Sequence, residues 1–119
     1  MFFQRKPKNE KGYIKQKFHF LIDRGYKLKY YHRNGEELFS YSSKTCNIEI
    51  INEPECFDVI INYGHGFPYD YSHNIRKVLP SKINTEIADK KIKLFAPVST
   101  IDYFATIVSQ NIEEIEHFH

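Results

Sequence analysis

The residue types most able to do chemistry crowd into one nine-residue stretch, His65-Gly66-Phe67-Pro68-Tyr69-Asp70-Tyr71-Ser72-His73. Two imidazoles and a carboxylate could bind zinc or iron if the segment folded back, because such a site needs three nitrogen or oxygen ligands. The candidate metal ligands are therefore His65, Asp70 and His73. Their spacing sits in a Gly/Pro-containing loop and fixes no ligand geometry. An aromatic surface loop that contacts a partner explains the same residues with fewer demands. On that reading Tyr63, His65, Tyr69, Asp70 and Tyr71 are the candidate contacts, joined by Tyr31 from an earlier strand.

Other nucleophilic and acid–base arrangements are weaker. Cys46 and Cys56 fall within or at the start of strand-like runs, with no helix N-terminus to lower a thiol pKa. Ser40, Ser42 and Ser43 lack the sharp strand-to-helix turn of a nucleophile elbow. Gly64-His65-Gly66 has neither the third glycine nor the lysine of a phosphate loop. Glu49 and Asp58 could approach each other across a sheet, but two solvated acids account for them better. No cofactor is expected.

A third pattern is electrostatic. Met1 to Arg33 holds ten Lys and Arg against Glu10 and Asp23, a charge of +8. Asn34 to His119 holds seven basic and thirteen acidic residues, a charge of −6. Lys27, Lys29, Tyr31 and Arg33 alternate along one strand, mixing cations with an aromatic that could stack a base. Nucleic-acid binding through this strand and the basic arm is thus an alternative function, although a pI of about 8.5 is below the usual range for such domains. Cancellation between the two halves within the fold is the simpler account. Glu113, Glu114 and Glu116 end the last helix where the macrodipole disfavours them. A basic first helix lying antiparallel beside it would compensate, as would fraying or a basic partner.

The elements that must position these groups are easier to read. Residues 1–9 read as a flexible basic arm, and 10–119 as one α+β domain, a size that buries a single core. Ile14, Phe18, Leu21 and Ile22 make an apolar stripe on a helix from about Glu10 to Arg24, with Gly25 as its stop. Gly12 weakens the first turn. Asn34-Gly35 then closes a two-residue hairpin in which Tyr30 faces Phe39 and Leu28 faces Tyr41. Around Glu53-Pro54 a second hairpin sets Ile50 opposite Phe57, Ile48 opposite Val59 and Cys46 opposite Ile61. The result is a four-stranded antiparallel meander. Its apolar face carries Tyr26, Leu28, Tyr30, Phe39 and Tyr41, and its other face carries Asn47, Glu49, Asp58 and Asn62 with Ile51, Cys56 and Ile60 as apolar exceptions. Helices must roof the apolar face in two layers. Ile101, Phe104, Ala105, Val108, Ile112 and Ile115 supply one stripe on a helix from Ser99, its N-cap, to Phe118. Between them a short helix is expected around Ser72 to Leu79, and residues 81–96 hold either a short helix or a fifth strand at Ile92-Lys93-Leu94-Phe95.

No stretch reaches the roughly 20 apolar residues of a membrane span, and Met1 to Lys8 lacks the apolar run of a signal peptide. Cytoplasmic residence and two reduced thiols are expected.

Phe18-His19-Phe20-Leu21-Ile22-Asp23-Arg24-Gly25-Tyr26, followed by Leu38-Phe39-Ser40-Tyr41, Ile48-Glu49-Ile50 and Val59-Ile60-Ile61, resembles the small α+β immunity-type proteins of bacterial polymorphic and contact-dependent toxin systems. The resemblance covers roughly residues 13–62. It implies a non-enzymatic protein-binding module that neutralises a toxin by occlusion. Many such proteins are acidic because their targets are nucleases, and the net charge of +2 departs from that pattern. A metal-dependent enzyme built on the 65–73 stretch is the third reading.

Overall fold

The computed structural model describes residues 9–64, 71–92 and 96–118. Among the described residues the first elements are two helices, α1 (Glu10–Lys17) and α2 (His19–Asp23). Five strands follow: β1 (Lys27–Arg33), β2 (Glu36–Ser42), β3 (Cys46–Glu53), β4 (Cys56–Tyr63) and β5 (Tyr71–Asn74). Four helices complete it: α3 (Ile75–Val78), α4 (Thr85–Ala88), α5 (Val98–Gln110) and α6 (Ile112–Glu116). The strands form one antiparallel sheet in sequence order, so the fold is α+β with five strands where four were expected. The fifth, Tyr71–Asn74, occupies residues read as loop and helix start. It alternates too briefly to register as a period.

The expected single helix 10–24 breaks at Phe18, whose φ of −100° and ψ of 11° interrupt the ladder. Asn9, assigned to the arm, instead caps α1 by accepting a hydrogen bond from the Gly12 amide at 3.0 Å. A Cβ on Gly12 would stand 2.9 Å from the Asn9 side chain, so the glycine that weakens the helix also makes room for its cap. Gly25, at φ 103°, ends α2 in a Schellman turn, with the Tyr26 amide donating to Leu21 O at 2.9 Å and the Gly25 amide to Ile22 O at 3.0 Å. The last helix also breaks. Asn111 takes non-helical dihedrals and its amide side chain donates to Ile107 O, so α5 and α6 are separate; Pro97, not Ser99, stands at the N-cap. The Ile92–Phe95 strand alternative lies mostly outside the described residues, and a short helix, α4, does form in 81–96.

The first hairpin has the expected register, Tyr30 opposite Phe39 and Leu28 opposite Tyr41. The second is displaced by two residues. Its turn is Pro54-Glu55, so Glu53 faces Cys56, Ile50 faces Val59, Ile48 faces Ile61 and Cys46 faces Tyr63. Proline fixes the first turn position and Glu55, at φ 66°, takes the left-handed second, the combination of a type II turn. A shift of two preserves which side chains point inward, so the faces survive the changed register.

On the inner face, Tyr30–Phe39–Ile50–Val59 and Leu28–Tyr41–Ile48–Ile61–His73 form cross-strand rows. Phe39, Tyr41, Ile48, Ile50, Val59 and Ile61 are fully buried against Ile14, Phe18, Leu21, Ile101, Phe104 and Val108 of the helices. Each such side chain contributes roughly 1.5–3 kcal/mol by leaving water. On the outer face a polar row, Ser42–Asn47–Asn62–Ser72, crosses β2 to β5. Asn47 donates to Ser40 and Ser42, Asn62 donates to Asn47 and Glu49, and Ser72 donates to Asn62, all at 2.6–2.8 Å. A one-residue slip would break every link, so the row pins the register.

Within the core, the Tyr41 hydroxyl is buried without a hydrogen-bond partner among the described residues, and burial pushes its pKa up to about 12. Tyr41→Phe should therefore leave stability unchanged or raise it by up to about 1 kcal/mol. Phe39→Ala, two residues before on the same strand and also inward, should cost about 3–5 kcal/mol. Urea unfolding of both variants measures the contrast. A loss above 1 kcal/mol for Tyr41→Phe would mean that its hydroxyl is bonded.

Candidate functional site

The residues singled out from the sequence fall on two separate surfaces. Tyr31 lies on the outer sheet face in the row Tyr31–Leu38–Ile51–Asp58. Tyr63 and Tyr71 face each other at the far end of β4 and β5, on the inner side of the sheet. His65, Tyr69 and Asp70 lie outside the described residues, so of the three candidate metal ligands only His73 is described. Among the described residues no group of three His, Cys, Asp or Glu side chains is arranged to hold a metal ion.

The outer surface is built by three strands. Tyr31 is 53% exposed, Leu38 and Ile51 are half-buried, and none of the three belongs to the core cluster that the helices cover. Around them a concavity of about 660 Å³ is bordered by Arg33, Glu36, Glu49 and Glu53. This is an apolar centre with a charged rim. Lys27, Lys29 and Arg33 share the outer face of β1 with Tyr31, and all are exposed. Because β1 is a sheet edge, those cations also discourage strand addition. Asp58, at the end of the row, is engaged by Arg76 Nη1 at 2.8 Å and by the Asn74 amide at 2.7 Å. Glu49 is held by Asn62. The two acids are thus taken by separate donors.

The second surface gathers residues from five places in the chain. Lys44 and Thr45 come from the β2–β3 turn, Tyr63 and Gly64 from the end of β4, Tyr71 and His73 from β5, Lys77 from α3, and Glu116 and Phe118 from the C-terminus. They border an open concavity of about 930 Å³. Tyr71 is 64% exposed at its rim, whereas Tyr63 is buried, its hydroxyl donating to Ile115 O at 2.6 Å. Tyr63 is therefore floor rather than contact. Lys44, Lys77, Glu116 and Phe118 escape sequence reasoning because no local spacing relates them. Leu38 and Ile51 did leave a signal, as apolar positions on a face that is mostly polar.

Beneath this concavity a polar cluster ties the segment between α2 and β1 to α6. Arg24 grips Glu116 with two hydrogen bonds, from Nε at 3.0 Å and Nη2 at 2.7 Å. Tyr26 adds a third from its hydroxyl at 2.7 Å and also touches the buried Cys46 Sγ at 3.4 Å. Burial pushes the Cys46 thiol up, which makes it a poor nucleophile. Both cysteines are free, as expected. Further along, Tyr13 donates to Asp102 at 2.6 Å and Lys17 lies 3.5 Å from the same carboxylate. The earlier residues meet the earlier partner and Arg24 meets the later one. The charged ends therefore compensate each other, but with the segments running in the same sense, not antiparallel.

Comparison with family models, curated proteins and solved structures gave no match. No helix among the described residues is long and apolar enough to cross a membrane.

The Arg24 hydrogen bonds, with help from Tyr26, hold the Glu116 carboxyl below its ordinary range. A depressed folded-state pKa contributes stability that is present above the unfolded value, about 4.3, and lost as pH falls through the folded one. Glu116→Gln should cost about 1 kcal/mol at pH 7, after allowance for screening at the partly exposed Arg24. The gap to the wild type should narrow between pH 5 and pH 3. Urea midpoints measured at several pH values test this, and a gap independent of pH would exclude the linkage.

Proposed function

We propose that the chain is a non-enzymatic protein-interaction module acting in the bacterial cytoplasm, with its contact surface on the outer sheet face. The observation that carries this reading is the Tyr31–Leu38–Ile51 row, apolar, partly exposed, outside the helix-covered core and ringed by charge. An amphipathic aromatic at the centre of an apolar patch with a polar rim is the usual anatomy of a binding hot spot. A pleated face presents it without reorganisation, so little entropy is lost on docking. The resemblance of residues 13–62 to toxin-system immunity proteins narrows the partner to a toxin domain, neutralised by occlusion.

Nucleic-acid binding is the second reading, favoured by Lys27, Lys29, Tyr31 and Arg33 sharing one exposed strand face. Against it, Glu36, Glu49 and Glu53 border the same surface and would repel phosphates. A protein partner with mixed charge fits that rim better.

Two measurements separate these readings. Protein captured from the native cytoplasm by the wild-type chain should be lost on Tyr31→Ser with Leu38→Ser, a change of about 2 kcal/mol or more at a hot spot. Both positions lie outside the core, so thermal unfolding should shift little. Co-expression with a toxin-like neighbouring gene product should restore growth in the wild type only. Equal capture by the double variant, or RNA or DNA binding that falls steeply with salt, would overturn the proposal.

A further inference from the structure

The concavity at the β4–β5 end has chemistry that the outer face lacks. Three rings form its apolar wall. Phe118 meets His73 edge-on at 5.3 Å between centroids and Tyr63 at 5.7 Å, and Tyr63 lies 6.2 Å from His73. The Tyr63 hydroxyl is satisfied by Ile115 O, so its ring adds apolar surface and no free donor. Glu116 is the only carboxylate bordering the space among the described residues, and Arg24 and Tyr26 already occupy its oxygens. Lys44 and Lys77 border it from the β2–β3 turn and from α3. Both are exposed and neither has a hydrogen-bond or ion-pair partner among the described residues. The volume, about 930 Å³, is that of a small-molecule site.

We infer that this concavity binds a small flat aromatic compound carrying an anionic group, a carboxylate, sulfonate or phosphate. The ring packs against Tyr63, His73 and Phe118, where offset and edge-on aromatic contacts add to simple burial. The anion lies toward Lys44 and Lys77, whose charges no carboxylate among the described residues consumes. A neutral aromatic would leave both cations unused, and a cation would meet them in repulsion. The occupant's chemistry follows from that asymmetry.

The test is titration of the isotope-labelled full chain with 2-naphthalenesulfonate, with adenosine monophosphate and with neutral 2-naphthalenemethanol, followed by amide chemical shifts. Saturable shifts should map to residues 44–45, 63–64, 71–77 and 118. The anionic probes should bind roughly tenfold tighter than the alcohol, as two partly solvated cations allow. Lys44→Gln with Lys77→Gln should erase that preference while leaving the alcohol's affinity and the protein's spectrum essentially unchanged, since both lysines are exposed and unpaired among the described residues. Comparison of the two anions distinguishes a nucleotide-like ligand from a plain aromatic acid. Absence of saturable binding, equal affinity for the alcohol, shifts confined to the Tyr31 face, or an unaltered preference in the double variant would each overturn the inference.

Discussion

Phe39, Ile50 and Val59 stand side by side across three strands and are fully shielded from water. Keeping that row dry is the condition from which the other features follow. A pleated strand sends alternate side chains to opposite faces, so burying one row commits Leu38, Ile51 and Asp58 to the other side. Phe18, Leu21, Ile101 and Phe104 are drawn in from both ends of the chain to complete the shield. The exposed patch proposed as a contact surface is therefore the reverse side of the core. No separate device holds it.

Polar interactions refine what burial begins. The Ser42–Asn47–Asn62–Ser72 row is saturated with short hydrogen bonds and fixes neighbouring strands to one register. Arg24, Tyr26 and Glu116 close the molecule by joining the first helical segment to the last. Part of the sequence's contrast between a basic start and an acidic remainder is spent on such pairs, Arg24 with Glu116 and Lys17 with Asp102. What is left over is local. Lys44 and Lys77 face one concavity, and Lys27, Lys29 and Arg33 line one edge.

Local signals reveal the parts of the fold that local chemistry decides. Asn34-Gly35, with both residues at positive φ, specifies the first hairpin to the residue. Two residues are ambiguous around Glu53-Pro54-Glu55, because a two-residue turn fits on either side of proline. Glu55 resolves it by accepting a left-handed conformation. The helix breaks at Phe18 and Asn111 fall where the apolar period runs on past them, so the period gives no sign of either; tertiary packing overrides propensity there. The candidate sites divide the same way. Tyr31 and Ile51 were legible from alternation along single strands. The β4–β5 concavity was not, because its lysines and Phe118 come from segments that meet only after folding.

The division of the sheet into a buried and an open side is most directly measured by hydroxyl-radical footprinting of the native tyrosines and phenylalanines. Oxidation should run well ahead at Tyr31 and Tyr71, the two most exposed aromatics described, with Tyr41, Phe39 and Tyr26 protected until the chain unfolds. Comparable oxidation of Tyr31 and Tyr41 in the folded protein would contradict the assignment of the two faces, and with it the account of what this surface is for.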